Sequence, residues 1–221
     1  MRAIVFGGAP LEPTPRMRAR LVGLDRPFIV AADRGAATAL AFGWQPDVVV
    51  GDLDSLDAET LATLERRGVP IETYPRAKDE TDGQLAVERA LQAQPDELLL
   101  LGFLGGPRLD QAVANVLLPI IIRPRTVLLD TRNECVLLRD GQDWAWRPEP
   151  GELVSLLPMG SDASGVRTEG LRWALAGDTL RFGHTRGLSN EPVAAHVRVA
   201  LGRGLLLVTR HFPGSGPSAT V

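Results

Sequence analysis

Six aspartates in the first half of the chain, Asp33, Asp52, Asp54, Asp79, Asp82 and Asp110, share a place in the local pattern: each follows a short apolar or β-rich run within a few residues. Asp52 and Asp54 stand two apart in GDLDS, at the end of Val48-Val49-Val50. In extended backbone that spacing puts both carboxylates on one side. Two hard oxygen ligands aimed together suit a divalent cation, Mg²⁺ above others where phosphate oxygens complete the shell. The competing use of Asp54 or Ser55 is to cap the helix that follows. Asp79 and Asp82, three apart in KDETD, carry the same ambiguity as a box-like cap. Carboxylates crowded on one rim oppose each other's ionisation unless something positive joins them. Arg34, Arg76, Lys78 and Arg108 lie in the same segments and can balance charge or hold phosphate. The glycine-rich turn at 102–106 can offer backbone amides and a helix N-terminus to anionic oxygens. No GxxxxGK[ST] sequence occurs, which excludes a P-loop, and the glycine spacing is not a dinucleotide fingerprint. No Ser-His-Asp or Cys-His arrangement points to covalent catalysis; His184, His196 and His211 share no spacing and are given no role.

The elements that would position these groups alternate. Apolar runs at 3–6, 28–32, 47–50, 69–74 and 97–101 read as strands, and 16–23, 37–42, 58–67, 83–92 and a stretch to about 118 read as helices. Such alternation predicts an α/β fold, a Rossmann-like three-layer domain with a mostly parallel sheet, over residues 1–130. Ligands of open α/β sheets bind outside the carboxyl ends of the strands, where the six aspartates fall. Gln111 and Asn115, at i, i+4 spacing, share one face of the last helix. From residue 125 the rhythm changes. Runs at 126–129, 135–138, 153–157, 180–182, 193–199 and 205–208 are separated by Gly, Pro, Asp and Asn, which predicts a smaller all-β sandwich domain over 131–221. A Trp such as Trp173 in an all-β domain is by default core, and Ser189-Asn190 has the composition of a turn.

The chain of 221 residues is long enough for a substantial core, and 44% apolar with 23% charged residues is ordinary for a globular protein. A net charge of −3 gives no basic footprint, so no nucleic-acid partner is expected. The apolar runs are too short for a membrane span, and the first residues do not read as a secretion signal; a cytoplasmic protein is expected. The single cysteine, Cys135, is expected to be a buried thiol. Residues 213–221, PGSGPSATV, read as a frayed tail.

Taken in order, ADRGA, PDVVVGDLDS, KDETDGQLAVERAL, LGFLGGPRLDQAVANVLL, TEGLRWAL and GLSNE resemble the thiamine pyrophosphokinase family over about residues 31–208. The resemblance implies a nucleotide-binding domain followed by a thiamine-binding β-sandwich, a homodimer, and transfer of a pyrophosphoryl group from ATP to the hydroxyl of thiamine with release of AMP. It implies that Asp52, Asp54, Asp79 and Asp82 hold Mg²⁺ with ATP, and that Asp52, Asp54, Asp82, Arg108 and Asp110 carry the chemistry, Asp82 or Asp110 taking the hydroxyl proton. Asp33, Arg34, Gly35, Lys78, Asp79, Thr81, Gln111 and Asn115 would bind the substrates. Trp173 would stack on the thiamine pyrimidine across the dimer interface, with Ser189 and Asn190 lining that pocket. Two departures stand out: Pro107 replaces a usual Gly and removes an amide donor, and Arg34 stands where many relatives have Gly. The alternatives are the same transfer to another alcohol, such as a hydroxymethyl pterin, or a nucleotide- or thiamine-binding regulator without turnover.

Overall fold

The computed structural model describes residues 1–75 and 77–213; Arg76 and residues 214–221, and with them the cation and most of the tail discussed above, lie outside the described residues. The chain forms two compact units, one ending at Thr131 and one starting at Arg132.

In the first unit β1 (Arg2–Phe6), β2 (Phe28–Ala32), β3 (Val48–Gly51), β4 (Ile71–Thr73), β5 (Glu97–Leu101) and β6 (Arg125–Leu129) alternate with α1 (Pro15–Leu21), α2 (Gly35–Ala41), α3 (Ala58–Arg66), α4 (Asp82–Leu91) and α5 (Leu109–Leu117). The order across the sheet is β4-β3-β2-β1-β5-β6, and every neighbouring pair is parallel. Parallel strands are covered on both faces, which is why they read as unbroken apolar runs; Ala3 to Phe6 and Leu98 to Leu101 are fully buried. α4 buries Leu85, Ala86, Val87 and Ala90 and packs on β1, β2 and β3. After β4 the chain crosses to the other side of β1, so the strand order reverses between β1 and β5. That reversal is the place where such sheets open a crevice.

Two capping expectations are corrected. α3 is capped by Asp57, whose carboxylate accepts from the Thr60 N–H at 2.8 Å and the Thr60 hydroxyl at 2.7 Å; neither Asp54 nor Ser55 occupies that position. The turn after β3 passes through Leu53 in left-handed backbone (φ 63°), which delays the helix start to Ala58. α4 is capped by Thr81, which accepts from the Gln84 N–H at 3.2 Å, so Asp79 closes no box.

The second unit contains β7 (Asn133–Leu138), β8 (Asp143–Trp146), β9 (Leu153–Pro158), β10 (Ala163–Glu169), β11 (Ala176–Leu180), β12 (Val197–Ala200) and β13 (Leu206–His211). They form two antiparallel sets, β7-β13-β9 and β11-β10-β12-β8. Alternate residues of β9 and β12 are buried, the pattern of sheets with one face on a core. β8 and β10 have no counterpart in the sequence reading. β8 is only four residues long, and β10 carries Ser164 and the polar run Arg167 to Glu169 and shifts register around Gly165 (φ +68°). The strand expected at 193–199 begins only at Val197, and that at 180–182 lies earlier, in β11; Pro192 cannot donate to a ladder. Cys135 is buried, as expected.

Within this unit Arg210 is buried and bonded to two acids, Glu134 at 2.8 Å and Glu152 through two bonds of 2.8 Å. Glu152 also accepts from the Trp146 indole N–H at 2.7 Å. The guanidinium lies over the rings of Trp144, Trp146 and Phe212 at 5.6, 5.2 and 4.9 Å.

Candidate active site

The carboxyl ends of the first unit's strands open into a cleft of about 730 Å³. Its wall is built loop by loop: Gly7 to Ala9 after β1, Asp33 and Arg34 after β2, Ser55 after β3, Thr81 to Gly83 at the start of α4, and the turn from Gly102 through Arg108 into Asp110, Gln111 and Asn115 of α5.

The floor is backbone. A Cβ on Gly7 would lie 2.6 Å from the Gly102 carbonyl, and one on Gly102 would lie 2.6 Å from that of Gly7. Gly7 N–H donates to Leu101 at 2.7 Å and Ala9 N–H to Gly102 at 2.9 Å, so the turns after β1 and β5 are laced together.

The acidic wall centres on Asp33, itself in left-handed backbone (φ 43°). Its Oδ1 accepts from the Leu53 N–H at 3.1 Å, and its own N–H donates to Val50 at 3.0 Å. Gly51 must be glycine here, because a Cβ would sit 1.8 Å from Asp33 Oδ1. Burial pushes the Asp33 carboxyl up to about 6, the neighbouring carboxylates of Asp82 and Asp52 push the same way, and the Leu53 N–H opposes them. Asp82 accepts from Lys78 Nζ at 2.6 Å, and the Lys78 side chain is only 12% exposed. Asp52 turns back on its own loop, its Oδ1 accepting from the Asp54 N–H at 3.1 Å. Asp54 and Asp79 are exposed and do not line the cleft. Among the described residues no three carboxylate, imidazole or thiol groups converge at metal-ligand spacing.

Two arginines line the same cleft. Arg34 Nη2 donates to the Gly8 carbonyl at 2.9 Å, and Gly35 lets α2 begin against β1, since a Cβ there would lie 2.1 Å from the Phe6 carbonyl. Arg108 engages Asp110 through both ends of its fork, Nε to Oδ1 at 3.1 Å and Nη2 to Oδ2. That pairing holds the Asp110 carboxyl below the usual range and Arg108 above its own. Arg108 is the N-cap residue of α5 and makes no side-chain cap bond; the Asp110 and Gln111 amides that open the helix face the Asp110 carboxylate instead. Asn115 Nδ2 donates to the Phe103 carbonyl at 2.9 Å, tying α5 to the turn after β5.

In the second unit Trp173 is 57% exposed rather than core. Asn190 is buried beneath its loop, accepting from the Trp173 N–H at 3.1 Å and donating to its carbonyl at 2.8 Å. Ser189 holds left-handed backbone (φ 57°) and donates its N–H to Ser155 Oγ at 3.1 Å. Arg172 lies 5.9 Å from the Trp173 ring centroid and pairs with Glu191 at 2.9 Å. Asn190 therefore orients the tryptophan loop, a role that its turn-like composition did not reveal. Ser55, a candidate cap by its sequence, lines the cleft instead, and Gly7 and Gly102 pack reciprocally in its floor. Those glycines are visible in the sequence, but the carbonyl that each must clear is not.

Two family models match the chain: "Thiamin pyrophosphokinase, catalytic domain" over residues 22–127 and "Thiamin pyrophosphokinase, vitamin B1 binding domain" over 145–206. Among relatives, thiamine pyrophosphokinase of Bacillus subtilis is 26% identical over 184 residues, 82% of this chain and 86% of that protein. Thiamine pyrophosphokinase 1 of rice (Oryza sativa subsp. japonica) is 30% identical over 166 residues, 71% of this chain and 62% of the rice protein. Among solved structures, thiamine pyrophosphokinase of B. subtilis superposes with a TM-score of 0.84 at 23% identity, covering 96% of this chain and 100% of that one. That of Geobacillus thermodenitrificans gives 0.79 at 26% identity, covering 97% and 99%. The two family matches take in most of the chain and follow the order of its α/β and all-β units, so the chain belongs to the thiamin pyrophosphokinase family.

Proposed function

We propose that this protein is a thiamine pyrophosphokinase: the thiamine hydroxyl attacks the β-phosphorus of ATP in line, a pyrophosphoryl group is transferred and AMP leaves. The observation that carries this reading is the cleft at the β1–β5 crevice, with a backbone floor, a carboxylate wall and two arginines. It lies on a chain whose later residues match a vitamin B1 binding domain.

A divalent cation suits the donor set. Burial drives Asp33 toward protonation and the carboxylates of Asp82 and Asp52 add to it, which marks negative charge gathered at one place. Mg²⁺ typically takes one or two carboxylates and leaves its other positions to phosphate and water, so a cage of three protein ligands is not required. Asp82, which lines the cleft, and Asp52, which with it faces Asp33, would hold it, joined by the exposed Asp54 and Asp79. Bound there it would offset the charge that develops on the transferring phosphates.

The remaining work is positioning, which dominates phosphoryl-type transfer. Arg108 supplies donors for phosphate oxygens, and the glycine floor lets those oxygens approach the backbone. Lys78 neutralises Asp82. Asp110, paired with Arg108, orients that arginine; it and Asp82 are the two carboxylates that can take the hydroxyl proton. The exposed Trp173 ring, braced by Asn190, offers a face on which the pyrimidine of thiamine can stack.

The working protein is a homodimer in this reading. None of the α5 residues is buried, and Leu109, Val113 and Leu117, with Ile121 just beyond, present an exposed apolar stripe at four-residue intervals. Such a stripe suits burial against a second copy. Its compartment is the cytoplasm: no helix among the described residues is long and apolar enough to cross a membrane, and the lone Cys135 needs no oxidising environment.

The test is AMP release from ATP with thiamine, and separately with a hydroxymethyl pterin, each with and without Mg²⁺. AMP is expected with thiamine and Mg²⁺ alone. Formation with the pterin instead transfers the assignment to another acceptor, and no AMP with either removes the kinase reading.

A further inference from the structure

One peptide unit in the cleft is held at both ends, once across the crevice and once from the β2 side. The peptide that joins Gly8 to Ala9 gives its N–H to the Gly102 carbonyl on the β5 side at 2.9 Å. Its carbonyl receives Arg34 Nη2 from the turn after β2, also at 2.9 Å. The residue before it is fixed by the Gly7 bond to Leu101 and by the close approach to Gly102. The stretch that follows, to Thr14, contains neither helix nor strand. Gly8 is exposed and has open space around it, and glycine brings the greatest backbone freedom of any residue. Packing therefore does not hold this peptide in place; two hydrogen bonds do, and one of them comes from a side chain. Arg34 is well seated for the purpose, at the N-cap position of α2, directly before the glycine that packs on β1.

We propose that Arg34 is a positioning residue that clamps the Gly8–Ala9 peptide from the β2 side and so preforms the nucleotide edge of the cleft. Preforming a glycine turn removes an ordering cost that the incoming nucleotide would otherwise bear. The effect falls on nucleotide affinity and leaves thiamine recognition, which belongs to other residues, unchanged. The inference rests on the pyrophosphokinase reading above.

The experiment compares the parent protein with Arg34→Met and Arg34→Lys by two measurements. Amide hydrogen exchange on the ligand-free protein reads the order of residues 7–14, and calorimetry with a non-hydrolysable ATP analogue, with KM values for ATP and thiamine, reads binding. Losing one charge-assisted bond in Arg34→Met is expected to speed exchange in 7–14 by about tenfold without change elsewhere, and to weaken the analogue by about tenfold. The thiamine KM is expected to stay within about twofold, since substitutions without shared partners act independently. Arg34→Lys, which keeps a donor, recovers most of both losses. Unchanged exchange in Arg34→Met overturns the clamp and makes Arg34 a direct phosphate contact. Faster exchange with unaltered nucleotide affinity overturns the link between turn order and binding. A parent protein that binds no analogue overturns the kinase reading and the proposal with it, and the exchange result separates that failure from the others.

Discussion

Asp57, three residues beyond Asp54, is the carboxylate that serves the N-terminus of α3. The two acids can therefore be separated by experiment. Asp54→Ala removes no cap from an exposed site, and its stability should stay within about 0.5 kcal/mol of the parent. Its AMP release with thiamine should fall by about a thousandfold, equivalent to ~4 kcal/mol of transition-state stabilisation. Asp57→Ala should do the reverse, losing about 1 kcal/mol of stability with turnover retained. Urea denaturation and the AMP assay check both; near-normal turnover in Asp54→Ala would take Asp54 out of the site. Asp33 makes a pH-dependent case. Its carboxyl is raised from 3.8 to about 6 in the folded protein, so between those values the folded state binds more protons than the unfolded one. Stability from this group is then highest below about pH 4 and is lost as pH rises through about 6. Asn at position 33 keeps an acceptor for the Leu53 N–H and tolerates left-handed backbone. Asp33→Asn should therefore match the parent at about pH 4 and exceed it at about pH 7, measured by urea denaturation in metal-free buffer. A parent more stable than the variant at the higher pH would contradict the burial argument.

The strands of the first unit were readable because parallel strands buried on both faces carry continuous apolar runs, as in Val48 to Val50 and Leu98 to Leu101. β8 and β10 escaped because short or half-exposed strands mix polar residues with a glycine, and such segments resemble loops. β13 is held by more than its ladders. Arg210 lies opposite Glu134 on β7 and opposite Val154 on β9, close to Glu152 before that strand. Truncating it leaves two buried carboxylates without a cation, a defect that costs about 3–5 kcal/mol. Arg210→Ala should destabilise the second unit by that amount, and Arg210→Lys should recover only part, since an ammonium cannot form the planar fork that reaches both acids. Thermal and urea unfolding report the loss; a change below about 1 kcal/mol would mean that water or repacking satisfies the acids.

For the molecule as a whole, the unburied stripe on α5 leads to a prediction about assembly. Leu109 is 77% exposed, and Val113, Leu117 and Ile121 follow it along the same face. Val113→Glu puts a charge into the middle of that stripe without touching the core of the unit. If a second copy covers the stripe, the parent should sediment as a dimer and Val113→Glu as a folded monomer, with circular dichroism unchanged. A monomeric parent, or a variant that remains dimeric, would place any dimer contact elsewhere. The stripe is at four-residue spacing in the sequence, yet amphipathic spacing is equally the signature of a helix packed on its own sheet. Only the folded chain distinguishes the two.

By itself the sequence determined the order of elements in the first unit, the change from α/β to all-β, the family, and the recurrence of aspartates at strand ends. All of these rest on local periodicity and short motifs, which need no knowledge of what lies beside what. Tertiary structure alone decided which loops meet. The crossover from β4 past β1 to β5 brings Gly7 against Gly102, the pairing of β2 with β3 and the packing of α4 on β2 set Asp33 beside Asp52 and Asp82, and the pairing of β1 with β2 hands the Gly8 carbonyl to Arg34. The sheet register of the second unit likewise joins Arg210 to Glu134 and Glu152. Charge coupling, burial and close backbone approach act between residues distant in the chain, so they exist only once strand order and register have fixed the neighbours.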